Sequence, residues 1–137
     1  MNKANPMNLP LASHFKLSSG LCPSSVKEKD SISCVPYDNT VGCLMYAMVC
    51  TRLDISHAVG VVSKYMQNPG KEHWNAVKWV LRYLRGTSDY CITFNNNNDY
   101  VCSFVDSNFI GDLDKRRSTS GYVFTLAGGA INCMSKL

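Results

Sequence analysis

Apolar residues between positions 41 and 84 recur at the spacing of a helix face, and beyond position 87 they alternate at the spacing of a strand. Val41, Leu44, Met45 and Met48 stand at i, i+3, i+4 and i+7, which puts them on one side of a helix packed on a core. A second helix is expected through Ile55, Ala58, Val59, Val62 and Met66, with Asp54 as its N-cap and Asn68-Pro69-Gly70 as its terminator. A third runs from about Lys71 to Arg85 and stops at Gly86, a residue suited to the position just past a helix end. On a helical wheel Trp74, Val77, Val80, Leu81 and Leu84 fill one arc, and Lys71, Lys78, Arg82 and Arg85 fall together on a neighbouring stripe.

The period then drops to two. Strands are expected at Ile92–Phe94, Tyr100–Asp106, Tyr122–Leu126 and Ala130–Cys133, separated by four asparagines, a charged loop and Gly128-Gly129. Residues 1–35 hold neither period for long and are rich in Asn, Pro, Ser and Gly, so they read as a linker or extended arm. The organisation is thus an arm at 1–35, a helical region at 36–87 and a strand region at 88–137, with α+β as the fold class.

Composition narrows the function classes only a little. Of 137 residues, 45% are hydrophobic and 18% charged, enough apolar material for a core and too little charge for a disordered chain. A net charge of +4 is compatible with phosphate backbones or acidic partners and requires neither. The longest apolar run, Val41 to Cys50, is half of the roughly 20 residues a membrane-spanning helix needs, so no span is expected. Pro6, Pro10, Asn5, Asn8 and His14 interrupt any apolar core of a secretory signal. The seven cysteines include no C-x-x-C pair, which favours free thiols in a reducing compartment, and Cys43 and Cys50 are expected to be buried on the first helix.

Candidate chemistry is sparse. Trp79 and Tyr83 flank the basic stripe, so flat rings and cations share an exposed surface suited to a sugar-phosphate backbone. A solvated helix face with snorkelling arginines accounts for the same residues. Asp106 closes a strand, where a two-metal nuclease places one ligand, but such chemistry needs several converging carboxylates. Asp112 and Asp114 sit with Lys115, Arg116 and Arg117 in a loop whose mixed charges explain them without a metal. His14, His57 and His73 lack metal-ligand spacing and read as surface or helix-face histidines.

The stretch from Val35 to Phe94, VPYDNTVGCLMYAMVCTRLDISHAVGVVSKYMQNPGKEHWNAVKWVLRYLRGTSDYCITF, closely resembles the C-terminal part of reverse transcriptase in copia-type retrotransposon polyproteins. LPLASHFKLS at 9–18 resembles the segment joining the polymerase palm to that region, and residues 104–137 resemble the opening of the tethered RNase H domain. The resemblance implies a three-helix cluster followed by an incomplete antiparallel RNase H-like sheet. It matches Asp106 to the first metal-binding carboxylate of RNase H, here a vestigial and incomplete metal site. The polymerase aspartates would precede residue 1 and the later RNase H carboxylates would follow residue 137, so no catalytic residue and no cofactor is expected. Leu53 stands where the family usually has Pro, and Asn108 where it usually has Asp.

A second resemblance rests on Arg82-Tyr83-Leu84-Arg85, which spells R-x-L-R. Short copia-like chains carrying it are similar to secreted RxLR effectors of a grapevine downy mildew, an oomycete. That resemblance implies delivery to the nucleus or cytoplasm of a plant host cell, an unidentified host protein as partner, and suppression of defence or cell death. The motif lies far from the N-terminus and no Glu-Glu-Arg run follows it. The leading expectation is therefore a non-enzymatic, effector-like protein. The alternative is an intracellular polyprotein fragment whose Lys71, Lys78, Arg82 and Arg85 touch an RNA or DNA duplex.

Overall fold

In the computed structural model, which describes residues 5–94, 100–108, 114 and 117–136, the helices precede the strands. The order is α1 (Val26–Ser33), α2 (Tyr37–Cys50), α3 (Ser56–Ser63), α4 (Lys71–Gly86), β1 (Val101–Asn108), β2 (Thr119–Leu126) and β3 (Gly129–Lys136). The chain is α+β, with an open antiparallel sheet following a helical cluster.

The arm is more structured than its composition suggests. A 3-10 turn at Ser19–Leu21 leads to α1, whose start is fixed by a capping box. The Glu28 N–H donates to Ser25 Oγ at 3.3 Å and the Ser25 N–H donates to the Glu28 carboxylate at 3.4 Å. The cap and not an apolar face starts this helix, for none of its residues is buried, and that is why periodicity passed over it.

The helices α2, α3 and α4 share one core. Tyr37, Val41 and Leu44 come from α2, Ala58, Val59 and Val62 from α3, and Ala76, Val77, Val80 and Tyr83 from α4. Ile55, Tyr65 and the arm's Leu17 close its edges. The buried centre of α4 lies one step round from the expected arc, because Trp74, Leu81 and Leu84 are only half-buried while Ala76 and Tyr83 are inside. The hydroxyl of Tyr37 donates to the Val62 carbonyl at 2.8 Å and satisfies a buried acceptor between α2 and α3.

Several local expectations fail for identifiable reasons. Asp54 is not an N-cap: it lies inside a 3-10 turn, Leu53–Ile55, and spends its carboxylate on Arg52 and Tyr83. Gly86 is the last residue of α4 with no left-handed backbone, and Thr87 caps the helix instead. A Cβ on Gly86 would lie 2.8 Å from Pro6 Cβ, so the glycine is there to let the arm approach. Cys43 and Cys50 are exposed, since the core takes the opposite face of α2. Ile92–Phe94 forms no strand, although Phe94 and Ile92 press on Gly129 at the start of β3.

The sheet has the order β1-β2-β3. Phe104 pairs with Val123 and Asp106 with Gly121 across β1 and β2. Tyr122 pairs with Met134 across β2 and β3, and the register shifts between Phe124 and Thr125. The hairpin turns on Ala127 and Gly128, with φ of 50° and 79°, the left-handed pair that matches strand twist in a two-residue turn. The sheet meets the helices through β3 and α3, where Cys133 Sγ approaches the Leu53 carbonyl at 3.3 Å and Ser135 Oγ lies 3.5 Å from His57 Nδ1.

Candidate nucleic-acid interface

The basic stripe of α4 does not present itself as a row of cations beside two exposed rings. Lys71, Lys78 and Arg85 are exposed, and Arg82 is half-buried. Tyr83, expected at the exposed edge, is buried, only 8% exposed, and donates its hydroxyl to Asp54 at 2.7 Å. Trp79 is half-covered by the arm and donates its indole N–H to the Leu9 carbonyl at 2.9 Å. Its ring meets Phe15 and His14 edge-on, with centroids 5.6 and 5.4 Å away. Arg82 lies over the same indole, 5.7 Å from its centroid, and donates from Nε to the Asn5 carbonyl at 2.7 Å. Thus two of the residues that sequence placed on an open surface hold the arm in place.

Within Arg82-Tyr83-Leu84-Arg85, Tyr83 belongs to the core and Leu84 packs against it. The four residues are one turn of a continuous helix and not an extended segment.

Next to this turn, Arg52 joins the end of α2 to the end of α4. Its guanidinium donates to Asp54 through Nε at 3.0 Å and Nη2 at 2.8 Å, a two-pronged ion pair. It also donates from Nη2 to Thr87 Oγ1 at 2.6 Å and from Nη1 to the Thr87 carbonyl at 3.3 Å, and it lies 5.5 Å from the Tyr83 ring centroid. The Arg52 hydrogen bonds hold the Asp54 carboxyl below its ordinary range, with Tyr83 adding to the effect. Burial, reinforced by Asp54, pushes the Tyr83 phenol upward. Nothing in the spacing of Arg52 and Asp54 distinguishes this cluster from an ordinary surface pair; only the fold brings Thr87 and Tyr83 to it.

Arg52, Asp54 and Tyr83 form part of one wall of a cleft of about 610 Å³ whose other wall is the sheet. Phe104, Val123, Met134 and Ile92 give it an apolar lining, and Asp106 stands on the sheet side. Asp106 is exposed on β1. Among the described residues no group of three or more His, Cys, Asp or Glu side chains is placed to hold a metal ion. Asp112 lies outside the described residues.

Asp114 has a structural role that loop composition did not reveal. Its carboxylate accepts from the Ser19 N–H at 2.9 and 3.0 Å and from Ser19 Oγ at 2.9 Å, and Tyr65 donates to it at 3.1 Å. The Ser19 backbone bond is the main reason its carboxyl is held low. Close by, His73 is fully buried and not a surface histidine. Its Nδ1 accepts from the Gly70 N–H at 2.8 Å, its ring stacks on Tyr65 at 4.1 Å, and Nε2 is buried with no hydrogen-bond partner among the described residues. Burial pushes its pKa down, against the opposite pull of the Ser18 backbone, Asp114 and Glu72.

No helix among the described residues is long and apolar enough to cross a membrane. No protein-family model matches the chain, and no solved structure matches it. Among known proteins, it is 55% identical over 137 residues to the retrovirus-related Pol polyprotein from transposon TNT 1-94 of Nicotiana tabacum, covering all of this chain and 10% of that protein. It is 38% identical over 137 residues to the corresponding polyprotein from transposon RE2 of Arabidopsis thaliana, covering 99% of this chain and 9% of that one. It is also 45% identical over 103 residues to secreted RxLR effector protein 161 of Plasmopara viticola, covering 74% of this chain and 72% of the effector. The chain therefore is similar to a segment of about a tenth of the two Pol polyproteins and spans 72% of the effector, and by that last match it belongs to one family with secreted RxLR effector protein 161.

Proposed function

We propose that the chain is the junction between reverse transcriptase and RNase H in a copia-type polyprotein, non-catalytic in itself, and that it contacts duplex nucleic acid through α4. The observation that carries this reading is the 55% identity to a transposon Pol polyprotein along the whole chain. Exposed Lys71, Lys78 and Arg85 along one helix supply cations at a spacing that can follow phosphates. In this reading 36–87 is the end of the polymerase region and 88–137 the start of RNase H, with Asp106 a lone remnant of a metal site. Binding of a DNA duplex by fluorescence anisotropy across a salt series tests it. Lys71→Gln with Lys78→Gln should flatten the log–log salt slope by about 0.9 per lost phosphate contact. A slope and affinity equal to wild type would remove α4 as the contact.

A second reading follows from the 45% identity to the effector, of which the chain covers 72%. Here the protein acts inside a plant cell, after secretion and delivery, to dampen defence or cell death through a host protein. Arg82, Tyr83, Leu84 and Arg85 serve this reading less well as a linear signal, because the helix and the core hold them. Expression in leaf cells followed by an independent death trigger tests it: reduced death at good accumulation supports it, and undiminished death removes it.

A further inference from the structure

The arm runs antiparallel along α4 and meets it through two backbone carbonyls and through side chains at its far end. Asn5 O accepts from Arg82 Nε and Leu9 O accepts from Trp79 Nε1, so the helix offers two donors and the arm two carbonyl oxygens. A phosphate oxygen would fill the same role for Arg82. His14 and Phe15 meet the Trp79 indole edge-on and narrow access to a ring on which an unpaired base could stack. Gly86 allows the closure, since any side chain there would strike Pro6. Met7, Leu11 and Phe15 pack against the core from the arm, while its Leu9 remains 62% exposed.

We propose that residues 5–15 form a strap that occupies the Trp79–Arg82 surface, and that releasing it exposes a binding surface for single-stranded nucleic acid. The closed strap leaves Lys71, Lys78 and Arg85 to engage a duplex; the open one adds a stacking ring and the Arg82 guanidinium. This inference rests on the reading of α4 as a nucleic-acid contact and adds its regulation.

Gly86→Val in the full chain forces the strap away, and Phe15→Ala loosens it from the other side without changing the helix sequence. Amide hydrogen exchange over residues 5–12 reports opening, and the probes are an oligothymidylate and a DNA duplex. Opening should raise affinity for the oligothymidylate about five- to tenfold, the order expected for one added stacked base. Duplex affinity should change less. If either variant opens the strap and oligothymidylate binding stays at the wild-type level while duplex binding persists, the strap proposal is overturned and the α4 reading stands. Absence of binding to both probes, in wild type and open variants alike, overturns the two together. Should Gly86→Val melt well below wild type, Phe15→Ala decides.

Discussion

The helical and sheet halves differ in how they treat their apolar residues. Every residue of the buried core lies between Leu17 and Tyr83, and Ile55, Val41, Val62, Val77 and Val80 have no exposed surface at all. On β1, by contrast, Phe104 is 63% exposed and Val105 79%. Both regions carry the apolar pattern of their secondary structure. Among the described residues the helices have three elements arranged so that each covers the others, whereas a single open sheet has two faces and its closest helix contact is that of β3 with α3. Apolar periodicity therefore reports which face should be covered and not whether anything covers it.

The comparison would break most sharply under core truncation. Ile55→Ala should cost about 2–5 kcal/mol in a urea melt, while Val105→Ala should stay within about 0.5 kcal/mol. Equal losses would mean that the sheet is as deeply integrated as the helices. Tyr37→Phe removes one of two donors to the Val62 carbonyl, which keeps the Tyr65 N–H at 3.2 Å, and should cost about 0.5–1.5 kcal/mol by the same melt, a test of how tightly α2 and α3 are tied.

His73 sharpens the comparison through pH. Its proton is taken up by the unfolded chain near the ordinary value of 6.5 and by the folded chain only at lower pH. Protons thus favour unfolding, and stability should fall as pH drops through 6.5 toward the folded value, then level off below it. His73→Gln should flatten this part of a pH-stability profile, and an unchanged slope would assign it to another group. Asp54 is half-exposed, so Asp54→Asn should cost no more than about 1 kcal/mol at neutral pH. Because its folded pKa is depressed, its contribution is present above the ordinary carboxylate range and lost as pH falls through the folded value; the variant should lack that acid-side loss in the same profile. The smallest effect on stability belongs to Val105→Lys, which should leave the melt in place and reduce self-association in light scattering, because a charge on an edge strand opposes pairing with another edge.

Much of the helical half was legible in the sequence. The spacing of Val41, Leu44 and Val77, Val80 marks buried faces directly, and the chain gives α2 and α4 nearly their expected limits. The strands expected at Tyr100–Asp106, Tyr122–Leu126 and Ala130–Cys133 were equally readable from alternation and overlap β1, β2 and β3. Contacts made across long sequence separations were not. Asp54 has the composition of an N-cap and becomes an Arg52 and Tyr83 partner only when α4 is beside it. Trp79 and Arg82 have the pattern of an open basic face, and nothing periodic in residues 5–15 announces that their backbone will cover it. His73 stands where a helix wheel gives a border position, and the stacked Tyr65 ring converts that border into interior.

The contact between Gly70 and the 3-10 turn at Ser19–Leu21 bears on the order in which the chain can assemble. A side chain at Gly70 would collide with the Leu21 carbonyl, so the two backbones lie directly against each other. During synthesis residues 5–22 are made before α4, which receives Asn5, Leu9 and the 3-10 turn and whose last residue is Gly86. At about 5–20 residues per second, the 64 residues from 22 to 86 take roughly 3–13 s to add. For that interval the arm lacks the Trp79 and Arg82 side chains on which its Leu9 and Asn5 carbonyls dock.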